Sequence, residues 1–173
     1  MPRPFIAAFA ALLIAGCSAG AEEVQLPPVT PALELTGQVV DAADVFDEQF
    51  EHDLTRRLGQ LEQDTQVQFV VATTPDLEGW DIETYSLDLA NAWGLGSVER
   101  DDGLLLLVAP NERKVRIEVG SGLEKVVTND EAARIIENDL LPSFRTGDFT
   151  VGVIKGVDSL IIELAPQELK EAA

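Results

Sequence analysis

The chain has 173 residues with 31 Asp and Glu against 12 Lys and Arg, a formal charge of −19 at pH 7. Such a surface repels phosphate backbones and anionic lipid, which argues against nucleic-acid binding and for divalent cations or basic partners, although acidity serves solubility equally well. One cysteine and one histidine exclude an internal disulfide framework, a CxxC redox pair and a cysteine-rich zinc site, and any histidine-containing triad would have to be built around His52.

The chain opens on "MPRP" and "FIAAFAALLIAG", a short basic start, an apolar core and small residues, which reads as a secretion signal over residues 1–16. Its core, Phe5 to Ala15, is shorter than the ~20 apolar residues that a bilayer-spanning helix needs. Ile14-Ala15-Gly16-Cys17 resembles the bacterial lipobox, so Cys17 is expected to be lipidated and to anchor the exported protein to a membrane. Ser18 at the next position, where an Asp would signal inner-membrane retention, favours the outer membrane by analogy with enterobacterial sorting, with the protein on the periplasmic face. Residues 17–35 carry Pro27, Pro28 and Pro31 and no helical or strand period, so they read as a flexible tether, extending about 3.1 Å per residue.

A single domain is expected over residues 36–165, followed by a disordered tail over 166–173. A short strand at Gly37 to Val40 is compatible with the pattern, which does not give its place in a sheet. From Asp47, a plausible N-cap, Phe50, Leu54, Leu58 and Leu61 recur at helical spacing, and the helix should stop near Thr65. Val67 to Thr73 is β-rich and ends at Pro75, fitting a buried strand. Ile82, Tyr85, Leu89 and Trp93 then share one helical face between an Asp81 cap and a Gly94 stop.

The continuous apolar run from Gly103 to Ala109 is too short for a typical helix and reads as a central strand. Turn chemistry at Pro110 to Arg113 leads into "KVRIEVG", whose Val115, Ile117 and Val119 alternate with Lys114, Arg116 and Glu118, so a hairpin is predicted. Thr128 and Glu131 form a capping-box pattern ahead of another helix, which Pro142 ends or kinks. Asp148 caps a last helix with a broad apolar stripe from Val153 to Leu164. This order of elements predicts the α/β class: a single three-layer αβα sandwich around a small mixed sheet.

Familiar nucleotide and hydrolase motifs, GxxxxGK[ST], GxSxG and GxGxxG after a strand, are missing. His52 lies beside Asp53 on the polar side of the first helix and reads as a solvent-exposed residue. What remains is a set of carboxylates at element ends: Asp41, Asp101, Asp102, Glu118 and Glu124. Oxygen-only ligands suit a hard cation such as Ca²⁺ or Mg²⁺, though EF-hand spacing is absent. Each also has a plain structural reading: a turn former at Asp41, loop charges at Asp101 and Asp102, a partner for Arg116 or Arg113 at Glu118, and a cap at Glu124.

The segments "LTGQVVDAADVF", "ANAWGLG", "RDDGLLLLVAPNERKVRIEVGSGLE" and "IIENDLLPSFRTGDFTVGV", in this order, resemble the TPM domain family over about residues 36 to 164. That family includes a thylakoid-lumen protein linked to photosystem repair and many bacterial envelope proteins, and the resemblance implies a Rossmann-like αβα sandwich. It puts the family's aspartates at Asp41 and Asp101 and its glycine-containing segment at Arg116 to Glu124. It implies divalent-cation binding, calcium ahead of magnesium, and for some members acid phosphatase activity. Asp102 stands where the family usually has Asn, Ser121 where an aromatic is common, and Asp47 where Ser or Thr commonly caps the helix.

Two functions follow as expectations. The first is a non-catalytic, lipid-anchored envelope module, a monomeric domain that binds a divalent cation at Asp41, Asp101, Asp102, Glu118 and Glu124 and assists membrane or envelope protein partners. The second is a metal-dependent phosphomonoester hydrolase in which Arg113 or Arg116 would neutralise phosphate charge; no catalytic residue is assigned.

Overall fold

The computed structural model describes residues 33–165. The leader, Cys17, the tether up to residue 32 and the tail over 166–173 lie outside the described residues. Among the described residues no helix is long and apolar enough to cross a membrane. The elements run β1 (Val39–Asp41), α1 (Glu48–Thr65), β2 (Gln68–Thr73), α2 (Ile82–Trp93), β3 (Gly103–Ala109), β4 (Lys114–Val119), α3 (Asn129–Ile135), a π-helical turn (Ile136–Leu140), α4 (Leu141–Phe144) and α5 (Phe149–Leu164).

Local chemistry sets the helix ends. The Asp47, Asp81 and Asp148 side chains accept from the backbone N–H of Phe50, Thr84 and Val151, so each satisfies a donor that the first turn leaves without an intrahelical partner. Thr128 and Glu131 close a reciprocal capping box on α3. Gln66 and Gly94 terminate α1 and α2 in the left-handed region. Pro142 kinks the next helix and does not end it. Its missing N–H removes one rung, and the Leu141 N–H bonds to the Ile136 carbonyl across a π turn. Gly152 and Gly156 let α5 lie against that bend: a Cβ there would come within 2.4 Å of the Phe144 ring and 2.5 Å of the Leu140 side chain.

The four-stranded sheet has the order β1-β2-β3-β4, with β1, β2 and β3 parallel and β4 antiparallel to β3. β3 is buried along its whole length, which is why its sequence shows no alternation. Phe69, Val71, Leu104, Leu106 and Ile117 face α1, α3 and α5, whereas Val70, Ala72, Leu105 and Leu107 face α2, completing the three layers. Because neighbouring parallel strands are joined by helices on opposite faces, the two crossovers have opposite hands, and one departs from the usual right-handed connection. β1 takes an edge of the sheet.

This topology gives the sheet two ends with different residues. One end carries Asp41 and Thr73 at the close of β1 and β2, together with the β3–β4 turn. The other carries the start of β3 and the close of β4, where Leu104 pairs with Val119. The two ends are roughly 17 Å apart along the strands, at ~3.3 Å per residue.

Candidate functional site

At the second end, α2 and the β3–β4 pair enclose a cleft of about 270 Å³ whose lining includes Leu87, Asn91, Asp101, Glu118, Ser121 and Glu124. Its shape depends on a close approach of two backbones. The N–H of Gly120 donates to the Gly103 carbonyl at 2.8 Å, and that of Gly122 to the Asp101 carbonyl at 3.0 Å. A Cβ on Gly120 would sit 2.2 Å from the Asp101 carbonyl oxygen, and one on Gly122 1.8 Å from that of Arg100. Neither glycine has a positive φ, so glycine is needed here for the missing Cβ. The left-handed residue is Asp101 itself, at φ 48°, a conformation that aspartate tolerates better than most side chains.

The Asp101 carboxylate accepts from the Ser121 N–H at 2.9 Å. Hydrogen bonding from Ser121 holds this carboxyl below the ordinary aspartate range, against burial and the charge of Asp102. Glu118 is half-buried because α2 covers that side of β4, which the sequence pattern leaves as an open face. It accepts from the Ser86 hydroxyl and from Arg116 Nε, both at 3.0 Å. Glu124 is exposed at the rim and makes no hydrogen bond or ion pair with a described residue.

The other two carboxylates lie elsewhere. Asp102 is buried, 6% exposed, and turns into a separate groove beside α1. It accepts from the Ser97 N–H at 2.8 Å, the Ser97 hydroxyl at 3.0 Å and Arg100 Nε at 2.5 Å. Burial pushes its carboxyl up, but these hydrogen bonds outweigh burial and the net shift is downward. Asp41 is the last residue of β1, at the far end of the sheet, and closes the loop that follows it. It accepts from the Phe46 N–H at 2.7 Å and the Thr73 hydroxyl at 2.5 Å. Its carboxylate neighbours are those around the start of α1: burial first, then the charges of Asp41, Glu48, Asp44 and Asp47, push Glu51 up.

The five carboxylates expected to share one ion therefore do not meet. Parallel β1 and β3 put the last residue of one strand and a residue before the other at opposite ends, and Asp102 points away from Asp101. Among the described residues no group of three or more His, Cys, Asp and Glu is arranged to hold a metal ion. Of the five, only Asp101, Glu118 and Glu124 line the cleft, and Glu118 is already engaged by Ser86 and Arg116. Arg113 sits in the β3–β4 turn at the Asp41 end, too far to neutralise charge at the cleft, while Arg116 is paired with Glu118. His52 is exposed on α1 beside Asp53, as expected. Ser86, buried behind the cleft and bonded to Glu118, is the residue that the sequence reading passed over; a lone small polar residue four positions after Ile82, on the core face of α2, is the signal that marks it.

A three-layer αβα domain with a carboxylate-lined cleft where β3 begins and β4 ends is the class of protein defined here. The family model of the TPM domain matches residues 39–162, and the chain belongs to that family. Among solved structures, the N-terminal domain of a P. gingivalis protein is 32% identical, with a TM-score of 0.69 over 75% of this chain and 82% of that one. The N-terminal domain of a Corynebacterium glutamicum protein is 16% identical, with a TM-score of 0.59 over 82% of this chain and 88% of that one. A protein from the psychrophilic bacterium Bizionia argentinensis is 20% identical, with a TM-score of 0.61 over 69% of this chain and 81% of that one. At their identities the last two speak to fold alone. No curated protein matches the chain.

Proposed function

We propose that this chain is a non-catalytic, lipid-anchored module of the cell envelope that binds a divalent cation, calcium ahead of magnesium, and assists membrane or envelope protein complexes. The observation that carries the reading is a single cleft lined by Asp101, Glu118 and Glu124, whose oxygen donors are the type hard cations take. Asp101 and Glu124 would hold the ion with several of its waters retained, and Glu118 would join them by leaving Arg116. A metal-dependent acid phosphatase, the alternative that the family resemblance implies, has less support. Arg113 is remote and Arg116 is neutralised by Glu118, which leaves the cleft without a free cation for a phosphate group.

The test is thermal melting of the purified protein in EDTA, Ca²⁺ and Mg²⁺. A site with a Kd of about 1 mM adds about 1.4 kcal/mol at about 10 mM ion, a rise of roughly 3–5 °C. Asp101→Asn combined with Glu124→Gln, which keeps shape and removes charge, should abolish that rise while leaving melting in EDTA nearly unchanged. No response to either ion would sink the cation reading. Turnover of a generic phosphate monoester that disappears in the same double variant would favour the hydrolase.

The envelope assignment rests on the leader and on Cys17, and it has its own test. Cys17→Ala is expected to move the protein from the membrane to the soluble fraction of broken cells. Continued membrane association after a carbonate wash would count against lipidation.

A further inference from the structure

At the opposite end of the molecule from the carboxylate cleft, the β3–β4 hairpin and the α4–α5 corner enclose a cavity of about 690 Å³. The apolar part of its lining comes from Val108 and Val115 of the hairpin and from Leu141, Phe144 and Phe149 of the corner. The two phenyl rings stand 5.1 Å apart in a tilted pair. The rest of the lining carries Arg113, Lys114 and Arg145, three of the twelve basic residues in a chain of charge −19.

None of the three forms an ion pair with a described residue, which sets the two arginines apart from the other described arginines. Arg56, Arg57, Arg100, Arg116 and Arg134 each form an ion pair, with Asp53, Asp158, Asp102, Glu118 and Glu163 respectively. Arg113 and Arg145 are the two described arginines without an ion pair to a described residue, and Lys114 has none either. Asp81, held low chiefly by its hydrogen bonds from Thr84, feels the charge of Lys114 but does not bond to it. Arg113 is also held at φ 56°, where glycine or asparagine would close the turn at less cost. A long cation thus occupies a strained turn position at the mouth of an apolar cavity.

We infer that this cavity binds an acidic peptide segment of a partner protein, one that presents an aromatic or branched aliphatic side chain beside two or three carboxylates. The cavity is larger than an inorganic anion needs and within the range of small-ligand pockets, so an apolar anchor fills it and the carboxylates meet the three cations. A bilayer suits the geometry less well. Charges are screened beyond about 8 Å at physiological salt, so a single segment meets only the basic mouth, whereas an extended anionic surface also meets the acidic surface around it. The described chain enters at the other end of the domain, where the Leu33 carbonyl accepts from Trp93 Nε1 at the close of α2.

The experiment is titration of the isotope-labelled protein with the peptide acetyl-Phe-Asp-Glu-Asp-amide, read by backbone amide shifts. The expected result is saturable shifts confined to the hairpin turn and the α4–α5 corner. Arg113→Glu with Arg145→Glu should weaken binding on the order of a hundredfold, about tenfold per lost charge-assisted contact, with melting little changed because both side chains are exposed and unpaired. Arg113→Gly, which relieves the left-handed position, should weaken binding about tenfold without lowering the melting temperature. Replacing the peptide's Phe by Gly should reduce affinity by a similar factor.

Three results would overturn the inference: no saturable shift at millimolar peptide, shifts at the Asp101–Glu124 cleft instead, or an affinity indifferent to both arginine reversals. Binding of phosphatidylglycerol vesicles that the reversals abolish and the peptide does not displace would also overturn it, in favour of membrane docking.

Discussion

Gly122→Ala is expected to lower the melting temperature by roughly 10 °C and to remove any cation response from the cleft. The added Cβ would lie 1.8 Å from the Arg100 carbonyl oxygen, which belongs to the backbone and cannot rotate aside as a side chain would. Overpacking of this kind costs about 1–3 kcal/mol, and contact with main chain puts the value near ~3. At roughly 3 °C per kcal/mol for a domain of this size, the shift is readily measured. Relief requires the turn to back away from β3, which breaks the Gly122 bond to the Asp101 carbonyl and the Ser121 bond to its carboxylate. Ser121→Ala is the control: it removes the hydroxyl's bond to the exposed Asp101 carboxylate but keeps the backbone donor, so melting should move by about 1 kcal/mol at most. Circular dichroism melts of the two variants decide the matter. If Gly122→Ala melts within a degree of the unmodified protein, the close approach of the two backbones is not what shapes the cleft.

That glycine shows where the sequence was readable and where it was not. Features fixed within four residues were legible: the Asp47, Asp81 and Asp148 caps, the Thr128–Glu131 box, the Gly94 stop and the period-two alternation of β4 all appear where the pattern puts them. The layer order followed from the same elements, since each amphipathic helix must bury its face on the sheet. Strand order was not legible. Grouping Asp41 with Asp101 required knowing that β1 and β3 run the same way, and nothing local in either segment encodes that. Glu118 was legible as a charged position, but the α2 face that covers it was not, because Ser86 looks like any other polar residue until the helix is docked. In the sequence the glycines of the turn look like ordinary turn formers. Distance between two backbones, which no single-chain pattern reports, is the reason for them.

Asp102→Asn is expected to lower stability at pH 7 by about 1–3 kcal/mol and to lose that deficit in acid. The folded carboxyl titrates below its ordinary value of 3.8, so its contribution is fully present above that value and disappears as pH falls through the folded one. Asparagine matches the carboxylate in shape and can still accept from the Ser97 N–H. Its amide group, however, would face the Arg100 guanidinium, donor against donor, in a position only 6% exposed. Urea midpoints should therefore separate at pH 7 and pH 5 and converge in acid, as pH falls below the ordinary carboxylate value through the folded one and Arg100 loses its partner in both proteins. A gap that stays constant with pH would show that packing, not charge, is what Asp102 supplies. Asparagine is also the residue that the family pattern leads one to expect here, so the prediction turns on this chain's own Ser97 and Arg100. They fold the 97–102 loop back onto itself, and the Asp102 carbonyl in turn accepts from the Gln68 N–H at the start of β2. Asp101 is the next residue in that loop, held at a left-handed φ that few side chains adopt. Loosening Asp102 should therefore free Asp101 as well, and any cation response should weaken in Asp102→Asn although the substituted side chain lies in a different groove.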